Sequence, residues 1–230
     1  FGNAGDGRTY YCDDLKMAPP TLSQINLPVT FEDPTVDYAV TDFGGNSTVD
    51  AVDPTNNANH VKASTKTAGA QVWAGTTVGT AAGFATAIPL TSTSTKMSVR
   101  VYSPAAGVDV KLKVEDHTNG ANSVETDVLT TVANQWETLV FDFSNPASGT
   151  PAFNPAFTYD KASLFFDFGN SGTGAVYYWD DLQMAAPALS QIDWPVTFED
   201  PTVDYTMTDF GGNSTTDATD PVNAGNHVKL

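Results

Sequence analysis

The amino-acid sequence predicts an all-β fold, an antiparallel β-sandwich of the jelly-roll type. Residues 97–102 and 108–115 alternate apolar and polar side chains with a period of two, which is the pattern of strands that bury one face. Clusters of Gly, Pro, Asn and Asp separate segments of this kind, and no segment keeps a helical period. About ten strands within roughly 160 residues favour two packed antiparallel sheets.

The two clearest strands are joined by a short turn-forming segment, Ser103–Gly107, which predicts a hairpin. In a hairpin both strands would lie side by side in one sheet, each with a core face and a solvated face. Weaker alternation predicts the remaining strands, in chain order, near 28–32, 36–43, 59–66, 69–78, 123–130, 135–143, 161–168 and 175–184.

Parts of the chain recur at a fixed offset of 167 residues. Residues 1–24 return at 168–191 with 16 of 24 positions identical, and residues 25–62 return at 192–229 with 29 of 38 identical. The longest unchanged run is Pro28–Tyr38. Self-similarity of this length predicts tandem domain repeats with a period of 167 residues, each repeat being a whole domain.

The offset also predicts how the chain is divided. The expected parts are the C-terminal end of a preceding repeat (1–17), a linker (18–24), a complete β-sandwich repeat (25–184), a second linker (185–191) and the N-terminal part of a following repeat (192–230). Strands at both ends would each have an apolar face to bury, so we expect them to pair with equivalents in neighbouring copies of a longer protein.

The composition excludes several classes of partner. Ten Lys and Arg stand against 27 Asp and Glu, giving a formal charge of −17 and a pI near 4.1, so the surface repels nucleic acid and anionic membranes. No run of about 18 apolar residues exists that could insert into a bilayer. This balance suits a soluble extracellular protein, a cation-binding surface or a salty environment. The single cysteine, Cys12, cannot form an internal disulfide, and Trp179 takes its place in the next copy.

Residues suited to catalysis are sparse, which predicts a non-catalytic domain. His60 and His117 lack a nearby His or Cys at metal-ligand spacing. The Gly-rich segment 168–174 lacks the lysine and the strand-to-helix context of a phosphate-binding loop and is expected to form a turn. The many other carboxylates are typical of an acidic, solubilising β surface.

Two carboxylates stand out because each lies at an element end in both copies. Glu32 ends the opening strand, and Asp180 lies in the closing strand with its side chain expected to point inward. The first and last strands of a jelly roll commonly lie close together, so both could converge on a calcium ion, which prefers oxygen ligands. Hydrogen bonds to backbone amides or an ion pair with Lys or Arg would equally satisfy Asp180. Asp33, Asp53 and Asp181 are weaker candidates.

Several motifs occur together in the segment 25–184: Phe31-Glu32, the strands 97–102 and 108–115, Trp136–Phe143 and the closing segment Tyr177–Leu182. Together they resemble those of the calcium-containing β-sandwich carbohydrate-binding modules found in large bacterial secreted and cell-surface proteins. The resemblance implies a glycan ligand and a structural calcium held by Glu32 and Asp180, but no particular sugar.

Glycan binding would require an exposed aromatic ring, because sugar C–H faces stack on such rings while polar groups bond the hydroxyls. Alternation along 71–78 leaves Trp73 on the non-core face, which makes it the leading candidate, whereas Trp136 is expected in or near the core. A binding strip could be completed by Arg100, Tyr102, Lys111, Lys113 and Glu115. Alternatively, these charges form cross-strand pairs and a loop covers Trp73.

The rival function is a structural one. Similar repeats in series suit the stalk of an adhesin used for attachment or gliding, with no sugar site of its own. Weakly binding modules in series would also gain avidity, so repetition alone does not separate the two functions. Exposure of Trp73 and Tyr102 in a groove would favour polysaccharide binding, and a flat polar face there would favour the stalk.

Overall fold

The computed structural model describes residues 21–186 and 191–230, together with Gly7, Thr9, Tyr11, Asp13 and Asp14. All regular structure in these residues is β, and none of their segments forms a helix that could cross a membrane. The chain divides into two compact units, Phe1–Met184 and Ala185–Leu230. The predicted segment 1–17, Cys12 and the linkers 18–24 and 185–191 lie partly or wholly outside the described residues.

The described part of the first unit contains twelve strands. They are β1 (Ser23–Gln24), β2 (Val36–Asp37), β3 (Val40–Phe43), β4 (Asn46–Asp53), β5 (Asn56–Lys66), β6 (Gly75–Val78), β7 (Lys96–Tyr102), β8 (Asp109–Asp116), β9 (Asn119–Leu129), β10 (Trp136–Asp142), β11 (Lys161–Phe166) and β12 (Ala175–Met184).

Ten of these strands form two antiparallel sheets of five. Sheet I has the order β10-β7-β12-β5-β4, and sheet II has the order β3-β6-β11-β8-β9. The short strands β1 and β2 pair in parallel beside them. The predicted all-β antiparallel sandwich is therefore confirmed.

The core lies between the two sheets and is built from the inward-facing residues of each strand. Val99 and Val101 of β7 and Leu112 of β8 are fully buried, as their alternation predicts. The largest buried side chain is Trp179, whose Nε1–H donates to Ser64 Oγ at 2.9 Å. Each large apolar side chain buried in this way stabilises the fold by about 1.5–3 kcal/mol.

The predicted hairpin between β7 and β8 is wrong, because β7 belongs to sheet I and β8 to sheet II. Both strands bury their apolar residues in the same core, but from opposite sides, and alternation does not distinguish these arrangements. The connecting segment crosses between the sheets. Ser103 Oγ donates to the Ala105 carbonyl at 2.7 Å, and the Gly107 amide donates to the Thr130 carbonyl at 2.7 Å.

Other strand predictions also need correction, and the predicted strand 36–43 is divided between β2 and β3, which belong to different sheets. The opening segment 28–32 contributes only an isolated bridge between Val29 and Leu182. The predicted strand 69–78 is limited to Gly75–Val78, with turns before it. Strand β4 was not predicted, because it lies at the edge of sheet I and carries mostly polar side chains.

The described part of the second unit contains two short antiparallel strands, β13 (Asp217–Thr219) and β14 (His227–Lys229). Several of its large apolar side chains are exposed, including Trp194 and Phe210, each with 87% of its surface accessible. The division of the chain into tandem repeats remains a prediction from the sequence.

Candidate functional site

The six predicted ligand-binding residues are distributed over two faces of the sandwich. Arg100 and Tyr102 lie on β7 in sheet I, whereas Lys111, Lys113 and Glu115 lie on β8 in sheet II. Because the two strands are in different sheets, the single strip expected from a hairpin does not form. Trp73 lies in the turn that precedes β6, beside sheet II.

Trp73 is an exposed and well-supported aromatic side chain, with 49% of its surface accessible. Its indole stacks on Phe43 of β3, with ring centroids 6.3 Å apart and an interplanar angle of 15°. Gly44 has a positive φ of 67°, and a Cβ atom there would lie 3.0 Å from the indole Cζ3. A glycine is therefore required for the close approach of backbone and ring. Phe165 packs edge-on against Phe43 at 5.4 Å and extends this support.

The charged residues of β8 form ion pairs across sheet II. Lys111 Nζ lies 3.2 Å from Glu125 Oε2, and Glu115 is contacted by Lys113 at 2.6 Å and by Lys161 at 2.8 Å. Burial acts to raise the pKa of Glu115, but the hydrogen bonds from both lysines outweigh it and lower the pKa. The cross-strand charge pairs considered as an alternative are thus present, and this face carries compensated charges.

The outer face of sheet I carries a row of aromatic side chains. Tyr102 is in register with Trp136 on one side and with Tyr178 on the other, at ring-centroid distances of 5.7 and 5.9 Å. Trp136, expected in or near the core, is half-buried on this face instead. The Arg100 guanidinium lies 4.2 Å from the centre of the Trp136 ring. Because these rings pack edge to face, part of the surface of each ring is covered by its neighbour.

Arg100 also joins two buried carboxylates, Asp53 and Asp180. Its Nη2 lies 3.1 Å from Asp53 Oδ2, and its Nη1 lies 3.8 Å from Asp180 Oδ2. Asn59 Nδ2 donates to both carboxylates, at 3.3 and 3.0 Å. The Trp136 Nε1–H donates to Asp53 Oδ1 at 2.8 Å. The cluster therefore satisfies its buried charges with protein groups.

Burial affects the two carboxylates differently. Burial raises the pKa of Asp180 to about 6, because its hydrogen bonds from Asn59 and the Asp181 amide do not fully offset the loss of water. Burial also acts to raise the pKa of Asp53, but hydrogen bonds from Thr55, Trp136 and Asn59 outweigh it and hold the pKa well below its usual range.

Glu32, the other predicted calcium ligand, belongs to a separate set of contacts. The His60 amide donates to Glu32 Oε1 at 2.6 Å, and His60 Nδ1 lies 2.9 Å from Oε2. Hydrogen bonding to the His60 side chain lowers the pKa of Glu32. Convergence of Glu32 with Asp180 was predicted from the proximity of the first and last strands, and the left-handed backbone at Phe31, with φ of 59°, interrupts the opening strand just before Glu32.

The residues present do not fit the expected calcium site. A positively charged group, Arg100, already lies against Asp180, and Glu32 is engaged on both oxygens by His60. Within the described part of the chain, the one group of three metal-type ligands is Asp116, His117 and Asp160, which includes neither predicted ligand. The ion-pair alternative for Asp180 is the arrangement observed, and calcium remains a prediction based on the resemblance.

Sequence reasoning missed the residues that support Trp73. Phe43 and Phe165 belong to other strands, and only their meeting in sheet II brings them to the indole. The sequence likewise did not predict that Tyr178 lies beside Tyr102, although it placed both residues on strands. Register between strands, which periodicity does not encode, would have been the signal needed.

Comparisons with known proteins give weak likenesses only. No protein-family profile and no curated protein matches the chain. The family 11 carbohydrate-binding module of a cellulosomal cellulase of Clostridium thermocellum has 13% identity and a TM-score of 0.45, covering 71% of this chain and 96% of that one. A mutant family 29 carbohydrate-binding module has 10% identity and a TM-score of 0.43, covering 68% and 86%. An exo-beta-agarase has 12% identity and a TM-score of 0.46, covering 69% and 25%. At these scores, the likenesses carry no argument about function.

Proposed function

We propose that this chain belongs to a non-catalytic, extracellular β-sandwich protein that binds glycans, with Trp73 as its sugar-stacking platform. The proposal is carried by the position of the Trp73 indole, which is half exposed to solvent and is held by its stack on Phe43. A rigid, solvent-facing aromatic ring offers the apolar surface that the C–H face of a sugar requires. It does so with little loss of side-chain entropy on binding.

Polar groups of sheet II would supply the second requirement of a sugar site. Lys113 is the most accessible of the ion-paired residues Lys111, Lys113 and Glu115, whereas Thr77 and Ser163 are buried and their hydroxyls bond each other at 2.9 Å. The lysines here are matched by carboxylates, so the face has donors and acceptors without an excess of positive charge. This arrangement favours a neutral polysaccharide over a strongly anionic one.

A screen of neutral and anionic polysaccharides by glycan array and calorimetry tests the proposal, with and without calcium and a chelator. Trp73→Ala is expected to abolish binding of a neutral glycan while leaving the fold intact. Trp194→Ala is the matched control, because Trp194 is 87% exposed in the second unit and has no role in the proposed site. Binding that survives in Trp73→Ala would contradict the assignment of the platform.

A structural stalk is the second candidate, and the recurring segment 192–229 favours it. Hydrogen bonds and strand pairs of residues 25–62 recur in residues 192–229 at the same offset of 167. Such recurrence is expected of repeated units that add length in series. A chain that binds no glycan in the screen would support this function. Pairing with neighbouring copies would then be measured by the mechanical or hydrodynamic properties of longer arrays.

A further inference from the structure

Lys66 is a buried lysine whose charge is not matched by a carboxylate. Its side chain, on β5, is 1% exposed. Among the residues that the structure describes, no carboxylate oxygen lies within 4.0 Å of its Nζ atom. Lys62, four residues earlier on the same strand, instead pairs with Asp50 at 2.5 Å. A buried ammonium group is costly unless its donors are satisfied, so the surroundings of Lys66 must supply acceptors.

Three backbone carbonyl groups accept hydrogen bonds from the Lys66 ammonium. Nζ donates to the carbonyl oxygens of Val72 at 3.2 Å, Phe166 at 3.2 Å and Asp167 at 2.7 Å. An ammonium group has three N–H donors, and three acceptors match them here. Burial lowers the pKa of Lys66, and the negative charge of Asp167 opposes this effect. The charge is therefore held by backbone dipoles of two separate segments.

Both segments support the Trp73 platform. Val72 directly precedes Trp73, so its carbonyl group belongs to the peptide bond that joins the two residues. Phe166 ends β11 in sheet II and directly follows Phe165, whose ring supports the aromatic stack beneath the indole. Because Lys66 starts from β5 in sheet I, its side chain connects the two sheets beside the platform.

The turn 69–74 and the segment 166–172 also contact each other directly. The Val72 carbonyl accepts from the Gly169 amide at 3.0 Å as well as from Lys66. A Cβ atom at Gly172 would lie 2.0 Å from the Thr67 carbonyl oxygen, so the two segments approach too closely for a side chain there. The ammonium thus lies where the turn, the end of β11 and β5 meet.

We propose that Lys66 is the positioning residue of the Trp73 platform, its ammonium holding the turn that carries the indole against the end of β11. A ring that is fixed before the sugar arrives loses little side-chain entropy on binding. A neutral side chain at position 66 would withdraw a charged donor from three carbonyl groups, and the turn would rearrange to satisfy them. This role rests on the proposed glycan-binding function and adds a buried residue that does not itself contact the sugar.

Lys66→Met tests the role, because methionine keeps an apolar stem of similar length and removes the three donors. The order parameter of the Trp73 indole N–H, from nitrogen NMR relaxation, should fall from about 0.85 to below about 0.6. Affinity for the neutral glycan that the screen identifies should fall about tenfold, measured by calorimetry. Amide spectra check that the variant is folded. If it is not, Lys66→Gln takes its place, since glutamine keeps two donors at a shorter reach.

Two controls separate positioning from a general loss of stability. Lys62→Met removes another buried lysine of β5, one that contacts Asp50 and Phe31 and not the Trp73 turn. Val99→Ala removes core packing on β7, which pairs with β10 and β12 and not with the strands beside the platform. Both variants should leave the Trp73 order parameter and the glycan affinity unchanged.

Restoring the ammonium should restore the platform. Lys66→Cys, in a Cys12→Ser background, is alkylated with bromoethylamine while unfolded and is then refolded, which places an ammonium group at nearly the original reach. We expect both the order parameter and the affinity to return to the values of the unmodified chain.

An unchanged Trp73 order parameter in Lys66→Met, an equal fall in Val99→Ala, or no recovery after alkylation would each overturn the positioning role. Glycan binding that requires Trp73 but is unaffected by Lys66→Met would overturn it and leave the proposed function intact. An order parameter that depends on Lys66 in a chain that binds no glycan would show the reverse, a fixed indole without the proposed function.

Discussion

Residues 25–62 and 192–229 are nearly the same sequence in two structural settings, one inside a complete sandwich and one with few partners. Their backbones share unusual local features. The peptide bonds Leu27–Pro28 and Trp194–Pro195 are both cis, and Phe31 and Phe198 both have a φ of 59°. In both copies the phenylalanine packs edge-on against the tyrosine seven residues later, at 5.2 Å. The left-handed phenylalanine and its contact with the tyrosine are therefore encoded within 38 residues.

Side-chain hydrogen bonds recur as faithfully as the backbone. Asp42 Oδ2 accepts from the Thr48 amide at 2.6 Å, and Asp209 Oδ2 accepts from the Thr215 amide at 2.8 Å. Glutamate-to-amide contacts recur as well, since the His60 and His227 amides donate to Glu32 and Glu199, both at 2.6 Å. The aspartate bonds need only the turn residues themselves, whereas each glutamate contact joins residues 28 positions apart within the recurring segment.

Burial is what differs between the two copies. Ile25 is 1% exposed and its counterpart Ile192 is 39% exposed. The three residue pairs of β13 with β14 are the counterparts of three pairs of β4 with β5, so this pairing recurs. The difference teaches that turn geometry and strand register are local, whereas core packing requires the other strands of the sandwich.

Trp179→Ala should produce the largest effect, because this side chain supplies the burial that the second copy lacks. It packs edge-on against Phe31 at 5.1 Å and is fully buried. Removing a buried tryptophan leaves a cavity and should lower the free energy of unfolding of the first unit by about 3–5 kcal/mol. Urea denaturation followed by circular dichroism measures the change. Trp194→Ala is the control, because Trp194 is exposed. If Trp179→Ala lowers the free energy of unfolding by less than about 1 kcal/mol, core packing does not explain the difference between the two copies.

Asp53→Asn and Asp220→Asn form a matched pair that tests the same difference at a polar site. Both aspartates contact an asparagine six residues later, but Asp53 also binds Arg100 and the Trp136 indole N–H in the buried cluster. Loss of these charged hydrogen bonds should destabilise the first unit by about 2–3 kcal/mol. Asp220→Asn should leave the unfolding curve unchanged. Equal effects of both substitutions would show that only the local turn matters.

The sequence predicted the parts of the fold that depend on which face of a strand is buried. Val99, Val101 and Leu112 alternate with polar residues, so their burial followed from periodicity. Which sheet a strand joins depends on contacts between distant segments, and the hairpin at 103–107 was wrong for that reason. The sequence pattern did not predict β4, because an edge strand buries little apolar surface.

The candidate sites were predicted less well, for related reasons. Exposure of Trp73 was expected from alternation, yet the indole lies in a turn, where alternation does not apply, and Phe43 supports it. Convergence of Glu32 with Asp180 assumed a regular opening strand, which the left-handed backbone at Phe31 interrupts.

Acid provides a third test, directed at a carboxylate turn in the packed region. Burial acts to raise the pKa of Asp142, but hydrogen bonds from Ser144 and Thr95 outweigh it and lower the pKa to about 2. A carboxylate whose pKa is lower in the folded state contributes stability above its unfolded pKa, near 3.8, and loses it as the pH falls toward about 2. After a reduction for partial exposure, Asp142 should contribute about 1–2 kcal/mol at neutral pH.

Asp142→Asn should therefore flatten the acid limb of the stability curve of the first unit between about pH 4 and pH 2. Free energies of unfolding from urea titrations at several pH values measure the slope. Asp200→Asn removes a similar turn carboxylate in the second unit, where Asp200 binds Thr202, and should leave that slope unaltered. An unchanged acid limb in Asp142→Asn would show that the turn contributes no more in the packed sheet than on the surface.

Glu32→Gln and Glu199→Gln should have the smallest effects, and these should be equal. Each glutamate binds the amide and side chain of a histidine 28 residues later and is largely solvated, so the contact does not depend on the core of the sandwich. The amide resonances of His60 and His227 should move by similar amounts in NMR spectra, with no measurable change in unfolding. A shift confined to His60 would mean that this contact, unlike the aspartate turns, is formed by the complete sandwich and is not encoded within the recurring segment.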